Sequence, residues 1–299
     1  MIPGGPLGRT LRVTVRAASD DPLRESYRTC RRLQRRHDPT YWCATRCLPP
    51  DVRPAVHALY GFVRGADEIV DGAGRRLPAG PARRAALDGW HSELSRGLAS
   101  GRSDHPVIAA LVDAGRRHGL PLHLLDRYMA SMGVDCDEPV RIATETDLDR
   151  YMDGSAATVG RIMAPLLGAP YTLHEEIARL GVAFQLTNFV RDVAVDWELD
   201  RVYLPGLPED ALRTRTATRA ARERVARHVA RARDLFAETA PVADALAPRM
   251  RAGIRLARGV YAGVLDHVER NDYDVIGARV ALMPWQGVRA AAGSVLAPR

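Results

Sequence analysis

Leu59-Tyr-Gly-Phe-Val-Arg-Gly-Ala-Asp-Glu-Ile-Val-Asp71 carries Asp67 and Asp71 four residues apart in a strongly apolar run. Gln185-Leu-Thr-Asn-Phe-Val-Arg-Asp-Val-Ala-Val-Asp196 repeats the pattern with Asp192 and Asp196. On a helix this spacing puts both carboxylates of a pair on one face, about one turn apart. At about 100° per residue, Tyr60, Arg64, Asp67 and Asp71 share one narrow stripe. Leu59, Phe62, Val63, Ala66, Ile69 and Val70 cover the opposite and flanking sides, which leaves only Gly61, Gly65 and Glu68. In the second run Gln185, Asn188, Asp192 and Asp196 share a stripe, and Val182, Ala183, Phe184, Leu186, Val190, Val193, Ala194 and Val195 fill most of the rest, Arg191 being the exception. Helices apolar nearly all round are buried, and a carboxylate is costly to bury without a positive partner. One such pair alone reads as solvated aspartates near a helix end. Two pairs, each with further polar groups on its stripe, point to one internal cavity faced by both helices.

The ligands offered there are carboxylate oxygens, with no His or Cys nearby. That is hard-cation chemistry, Mg²⁺ first and Mn²⁺ second. Mg²⁺ binds through one or two carboxylates together with waters and substrate phosphates. Facing aspartate pairs bridged by Mg²⁺ would therefore hold a diphosphate, with Arg64 and Arg191 placed to clamp its oxygens. An otherwise apolar cavity suits a hydrocarbon chain attached to that diphosphate.

The chain of 299 residues is 46% hydrophobic and only 6% aromatic, with Val, Ile and Phe sparse beside Ala, Leu and Arg. That balance favours helices, and the expectation is one all-α domain over 21–299, preceded by a flexible basic tail over 1–20 carrying Arg9, Arg12 and Arg16. Helices are expected from Asp21 to about Gly72, broken at His37–Thr40 and Leu48–Asp51, with Asp51 as a cap. Others follow over Pro81–Leu98, Pro106–His118 and Pro121–Met132. After the acidic loop Asp135–Thr146, with Thr146 at a capping position, a helix through Tyr151 reaches about Leu167. A long helix capped by Thr172 then runs to about Asp196, and arginine-rich helices over Glu209–Thr239 and Val242–Glu269 complete the body. The four cysteines, Cys30, Cys43, Cys47 and Cys136, lack zinc spacing and read as buried reduced thiols of a cytoplasmic protein. No run is apolar enough to span a membrane, and nothing in the sequence sets an oligomeric state. The net charge of +7 rests on arginines spread along the chain, without a nucleic-acid recognition motif; no nucleic-acid partner is expected. Arg215, Arg219, Arg222 and Arg224 read as a solvated helix face, with a second reading as a surface for anionic headgroups at the inner membrane face.

The two aspartate runs, the following Arg201-Val-Tyr-Leu-Pro205 and the segment Tyr151 to Gly160 make the sequence resemble the squalene/phytoene synthase family, the head-to-head prenyl synthases. The resemblance spans roughly Tyr27 to Tyr273 and is strongest to bacterial phytoene synthases. It implies an isoprenoid-synthase helical bundle around a central apolar cavity, and Mg²⁺-dependent condensation of two prenyl diphosphates through a cyclopropyl diphosphate intermediate. By matching position, it implies Asp67, Asp71, Asp192 and Asp196 as metal-binding acids. Tyr60, Arg64, Gln185, Asn188, Arg191 and Tyr203 would line the diphosphate end, and His37, Thr40 and Tyr41 match a short segment that also touches diphosphate. Tyr151 matches a tyrosine near the reacting carbons, and Tyr273 a C-terminal aromatic of the site. Taken singly, Tyr151 reads more simply as a core tyrosine and His37 as a surface histidine.

Departures from the family pattern bear on substrate and product. Asp38 and Pro39 stand where many relatives carry Ser and a basic residue, Asp200 where they place Gly, and Met283-Pro-Trp-Gln-Gly287 where many are more basic. Two geranylgeranyl (C20) diphosphates would give phytoene. Two farnesyl (C15) diphosphates would give presqualene diphosphate, or squalene if NADPH supplies a hydride. Thr45 and His57, on helices expected to line the cavity, are not large apolar plugs, which favours the longer chain. A non-catalytic scaffold on the same fold would have lost the aspartates, and all four are present.

Overall fold

The computed structural model describes residues 22–71 and 77–277. The tail 1–20, the Met283–Gly287 stretch and the side chain of Thr40 lie outside the described residues. The described chain is built from helices, with a single two-residue parallel ladder pairing β1 (Val140–Arg141) with β2 (Arg201–Val202).

Three helices form the first corner: α1 (Pro22–His37), α2 (Pro39–Arg46) and α3 (Arg53–Val70). The break between α1 and α2 is a single residue, Asp38, whose Oδ1 accepts from the Tyr41 N–H at 2.8 Å, while Pro39 fits the first turn, where no amide is needed. Asp51 does not cap α3. Val52 occupies that position without a side-chain bond, and Pro54 sets the first turn. Next come α4 (Pro81–Ser100), α5 (Pro106–His118) and, after a 3₁₀ turn over Leu122–Leu124, α6 (Leu125–Met132). The glycine of α3 that faces α4 is required by sterics: a Cβ on Gly65 would lie 2.7 Å from Trp90 Cζ2. Phe62, Leu94, Ile108, Leu111 and Leu125 are fully buried between these helices.

The helix through Tyr151 differs from the sequence expectation at its start and in its middle, and ends at Leu166 as expected. It begins at Glu145, capped by Thr144 and not Thr146, with Thr144 Oγ1 accepting from the Asp147 N–H at 3.1 Å. It then widens into a π turn over Asp153–Ala157 between α7 (Glu145–Met152) and α8 (Thr158–Leu166). Thr172 lies inside a 3₁₀ turn and does not cap α9 (His174–Glu198), the longest helix. Helices α8 and α9 cross backbone to backbone: a Cβ on Gly160 would sit 2.7 Å from Ile177 O, and one on Gly181 2.8 Å from Ala156 O. The arginine-rich region breaks into α10 (Glu209–Arg213), α11 (Arg219–Glu238), α12 (Ala240–Ala245) and α13 (Pro248–Arg270). Arg215 at φ 50° interrupts the first predicted helix, and Pro248 forces an extended residue before the last. Cys30 and Cys136 are buried, but Cys43 and Cys47 are exposed, because α2 turns only its other face inward.

Candidate active site

Helices α2, α3, α8, α9 and α13 enclose a cavity whose free volume, open mouth included, is about 1020 Å³. Its wall is largely apolar: Ala44, Leu48, Val63, Met163, Leu167, Ile177, Leu180, Phe184 and Ile254 contribute side chains. The polar groups on it are few. Gln185 and Asn188 of the α9 stripe are two of them, and Tyr41, Thr45, Ser155 and Tyr261 are the others. Ser155 Oγ and Asn188 Oδ1 are buried without a hydrogen-bond partner. Buried polar atoms are normally satisfied, so these two mark where a bound molecule would supply the missing partner. Ser155 reaches the cavity because the π turn inserts an extra residue. That turn is tolerated where Gly154 packs against Arg127 O and Ser131 Oγ with no room for a Cβ.

The α9 stripe leads from this cavity to Asp192 and Asp196, one and two turns beyond Asn188. Arg191 grips Asp192 with both ends of its guanidinium, Nε at 2.7 Å and Nη2 at 2.6 Å. Burial and the neighbouring Asp192 carboxylate push the Asp196 carboxyl well above its ordinary range. On α3, Asp71 Oδ1 accepts from Arg201 Nη1 at 2.8 Å. Asp67 Oδ1 accepts from Tyr128 Oη at 3.2 Å, yet burial, with Asp71 beside it, raises its pKa to about 7. Arg64 pairs with Glu68 at 3.1 Å, and His37 Nε2 lies 3.9 Å from the same carboxylate. Tyr60 faces Tyr41 with ring centroids 6.1 Å apart.

The β1–β2 ladder carries Arg201, and Tyr203 follows it directly. Arg201 is 5% exposed and spans Asp71, Val70 O and Asp135 O. Asp135, 2% exposed, accepts from Tyr151 Oη and, at 2.7 Å, from Tyr203 Oη. Tyr203 stacks on Phe189 at 4.4 Å, and Tyr151 packs against both rings. Tyr151 and Tyr203 thus form a buried aromatic cluster on Asp135, outside the wall of the large cavity. Tyr273 sits in the turn after α13, at φ 56°, packed on the core. Thr45 lines the cavity, but His57 does not. It is buried behind α2, stacked on Trp42 at 5.3 Å and bonded to Gln34, with burial lowering its pKa to about 4.

Sequence reasoning missed Asp135, Tyr128 and Tyr261. Asp135 lay in what read as an acidic loop, although its neighbours Met132, Val134 and Cys136 are apolar. Tyr261 had a readable signal, since Ile254, Ala257 and Tyr261 follow helical spacing on the face of α13 that lines the cavity.

The carboxylates fit a hard divalent cation. Asp67 and Asp196 are held in a setting short of positive charge, and Asp71 and Asp192 have one arginine each. Among the described residues no three His, Cys, Asp or Glu side chains converge on one point. A cation bound here would complete its shell with water and phosphate oxygens, as Mg²⁺ does. The raised Asp67 gives a pH-dependent consequence. An acid whose pKa is higher folded than unfolded costs stability as pH rises between the two values, here from about 4 to about 7. Without Mg²⁺, the melting temperature of the wild type should fall relative to that of Asp67→Asn across that window. Parallel pH profiles for the two proteins would refute the assignment.

A family model described as Squalene/phytoene synthase matches residues 34–286. A phytoene synthase of Thermus thermophilus is 34% identical over 266 residues, covering 85% of this chain and 87% of the relative. A phytoene synthase of Arthrospira platensis is 29% identical over 283 residues, covering 88% and 90%. Among solved structures, squalene synthase HpnC from Alicyclobacillus acidocaldarius superposes with a TM-score of 0.74 at 28% identity, over 84% of this chain and 96% of that one. A dehydrosqualene synthase in complex with ligand gives a TM-score of 0.79 at 21% identity, over 92% and 98%, a likeness of fold.

Proposed function

The chain belongs to the squalene/phytoene synthase family, and from that premise we propose that it condenses two geranylgeranyl diphosphates head to head into phytoene. The observation that carries this reading is the apolar cavity whose wall includes Gln185 and Asn188, on the α9 stripe that continues along the helix to Asp192 and Asp196. Bacterial relatives bearing the name phytoene synthase support the C20 choice. So does Thr45, a small side chain on the cavity wall.

Asp67, Asp71, Asp192 and Asp196 would hold Mg²⁺, which when bound neutralises leaving diphosphate. Arg64 and Arg191 are positioned to exchange Glu68 and Asp192 for diphosphate oxygens. The reaction then runs in two stages, each begun by loss of a diphosphate. The donor C1–O bond breaks, releasing diphosphate. The acceptor double bond attacks C1, and loss of a proton closes a cyclopropane that keeps the second diphosphate. That diphosphate leaves, the cyclopropylcarbinyl cation rearranges so that a bond forms between the two C1 carbons as the original links from donor C1 to the acceptor double-bond carbons break, and a final proton loss leaves the central double bond. Phytoene needs no hydride donor. The apolar wall from Leu48 to Ile254 keeps water from the carbocations, and Phe184 with Tyr261, ring centroids 4.5 Å apart, offers aromatic faces to them.

The likeness to a squalene synthase at 28% identity supports a second reading, condensation of two farnesyl diphosphates to presqualene diphosphate, with NADPH required only for squalene. Incubating the protein with Mg²⁺ and either C20 or C15 diphosphate, with product mass measured, tests both. A C40 hydrocarbon from the C20 substrate is expected, with turnover at least tenfold above that on C15. A preference for C15 would replace the reading, and no product from either would end it. No helix among the described residues is long and apolar enough to cross a membrane. We place the enzyme in the cytoplasm, meeting the inner membrane face as a peripheral protein.

A further inference from the structure

The chain's net charge of +7 is not spread evenly in space. Residues 22–53 hold eight arginines against Glu25, Asp38 and Asp51, a net +5. The structure also separates these arginines from those of α10 and α11, which are mostly neutralised. Arg213 pairs with Asp210, Arg219 with Glu223, Arg231 with Glu145 and Asp149, and Arg233 with Asp266 and Glu269. On α1 and α2 the balance is opposite. Arg28 and Arg32 both reach Glu25, while Arg24, Arg31, Arg35, Arg36 and Arg46 are exposed and have no acidic partner among the described residues. Arg24, Arg28, Arg31 and Arg35 follow helical spacing down one outward stripe of α1. The Asp38 carboxylate caps α2, and its charge acts on Tyr41, Tyr60 and Arg191.

This surface continues onto the outer face of α2, where Cys43, Arg46 and Cys47 are exposed. The inner face of the same two-turn helix supplies Tyr41, Ala44, Thr45 and Leu48 to the apolar cavity. Only one helix therefore separates the uncompensated arginines from the space that holds hydrocarbon. Helix α2 meets α13 at Gly253, where a Cβ would lie 3.0 Å from Leu48 Cδ2.

We infer that the arginine face of α1 and α2 docks on an anionic bilayer, setting the α2 wall of the cavity against the lipid from which greasy substrate arrives and into which product leaves. Juxtamembrane arginines act through the negative surface potential of such a bilayer, and that attraction is screened by salt. The purpose assigned to this face rests on the prenyl diphosphate reading. The binding itself is measured without substrate and stands or falls separately.

The experiment is co-sedimentation of the full chain with phosphatidylcholine vesicles, with and without about one-third phosphatidylglycerol, at low and high salt. It compares the wild type, Arg24→Glu/Arg35→Glu, and a control of equal charge change, Arg213→Glu/Arg219→Glu. Binding is expected only to the anionic vesicles and only at low salt. It should weaken at least tenfold in the α1 variant and stay within about twofold of wild type in the control, with product formation in detergent retained by all three. Equal losses in both variants would reduce the effect to net charge and overturn the inference. So would absence of wild-type binding, or tighter binding to single-stranded RNA than to vesicles with the same dependence on Arg24 and Arg35.

Discussion

Asp67→Ala and Asp192→Ala should each lower product formation at least 1000-fold, about 4 kcal/mol of transition-state stabilisation, while the helical circular dichroism signal persists. The two positions are chosen because their surroundings differ. Asp67 is half-buried, accepts a bond from Tyr128 Oη where Asp192 has an arginine, and lies near Asp71, with its pKa raised to about 7. Removing it takes away an acid that the metal-free fold carries at a cost, so the variant should be no less stable than the wild type and still be inactive. Asp192 is half-buried and locked to Arg191 through two bonds. Its loss frees Arg191, which remains near the substrate end. If Asp192 served only to hold Arg191, the variant would retain turnover with weaker substrate binding. If it holds a cation, turnover itself is lost and added Mg²⁺ does not restore it. Product formation within tenfold of wild type in either variant would refute the metal assignment.

The aspartate stripes read as inward-facing because both helices are apolar nearly all round; the structure puts Gln185 and Asn188 on the cavity wall and leaves Asp67, Asp71, Asp192 and Asp196 half-buried beyond it. The same periodicity found the helical bundle and set several helix ends within a residue or two, but it read the arginine-rich region as two helices where four stand. Thr144 and Thr146 both precede an acidic first turn, and only the backbone geometry selects Thr144. The π turn at Asp153–Ala157 was invisible because its cause is tertiary: Gly154 meets α6 too closely for a regular turn. His57 was misplaced for a related reason. It shares α3 with the aspartates, but its side chain points to Gln34 and Trp42, behind the cavity wall. Asp135 was hidden most deeply. Its meaning comes from Tyr151, Tyr203 and Arg201, partners 16, 68 and 66 residues away, which no local pattern could supply.

Arg201→Met should destabilise the Mg²⁺-free protein by about 3 kcal/mol, the low end for breaking a buried ion pair, because Asp71 keeps 39% of its side-chain surface in solvent. Methionine fills much of the volume, so the loss reports charge and hydrogen bonds more than packing. Arg201 ties Asp71, Val70 O and Asp135 O together, and its charge also offsets Asp196. Without it, Asp67, Asp71, Asp135 and Asp196 face one another with no buried cation between them. A divalent ion should then matter more for the fold. Saturating Mg²⁺ should raise the melting temperature of Arg201→Met by more than it raises that of the wild type, by linkage to a native state it alone binds. A purely steric role for Arg201 would give equal Mg²⁺ shifts in the two proteins. A smaller shift in the variant would mean that Arg201 helps to assemble the cation site and does not compete with it. The sign of that difference therefore separates an arginine that substitutes for the cation from one that positions its ligands.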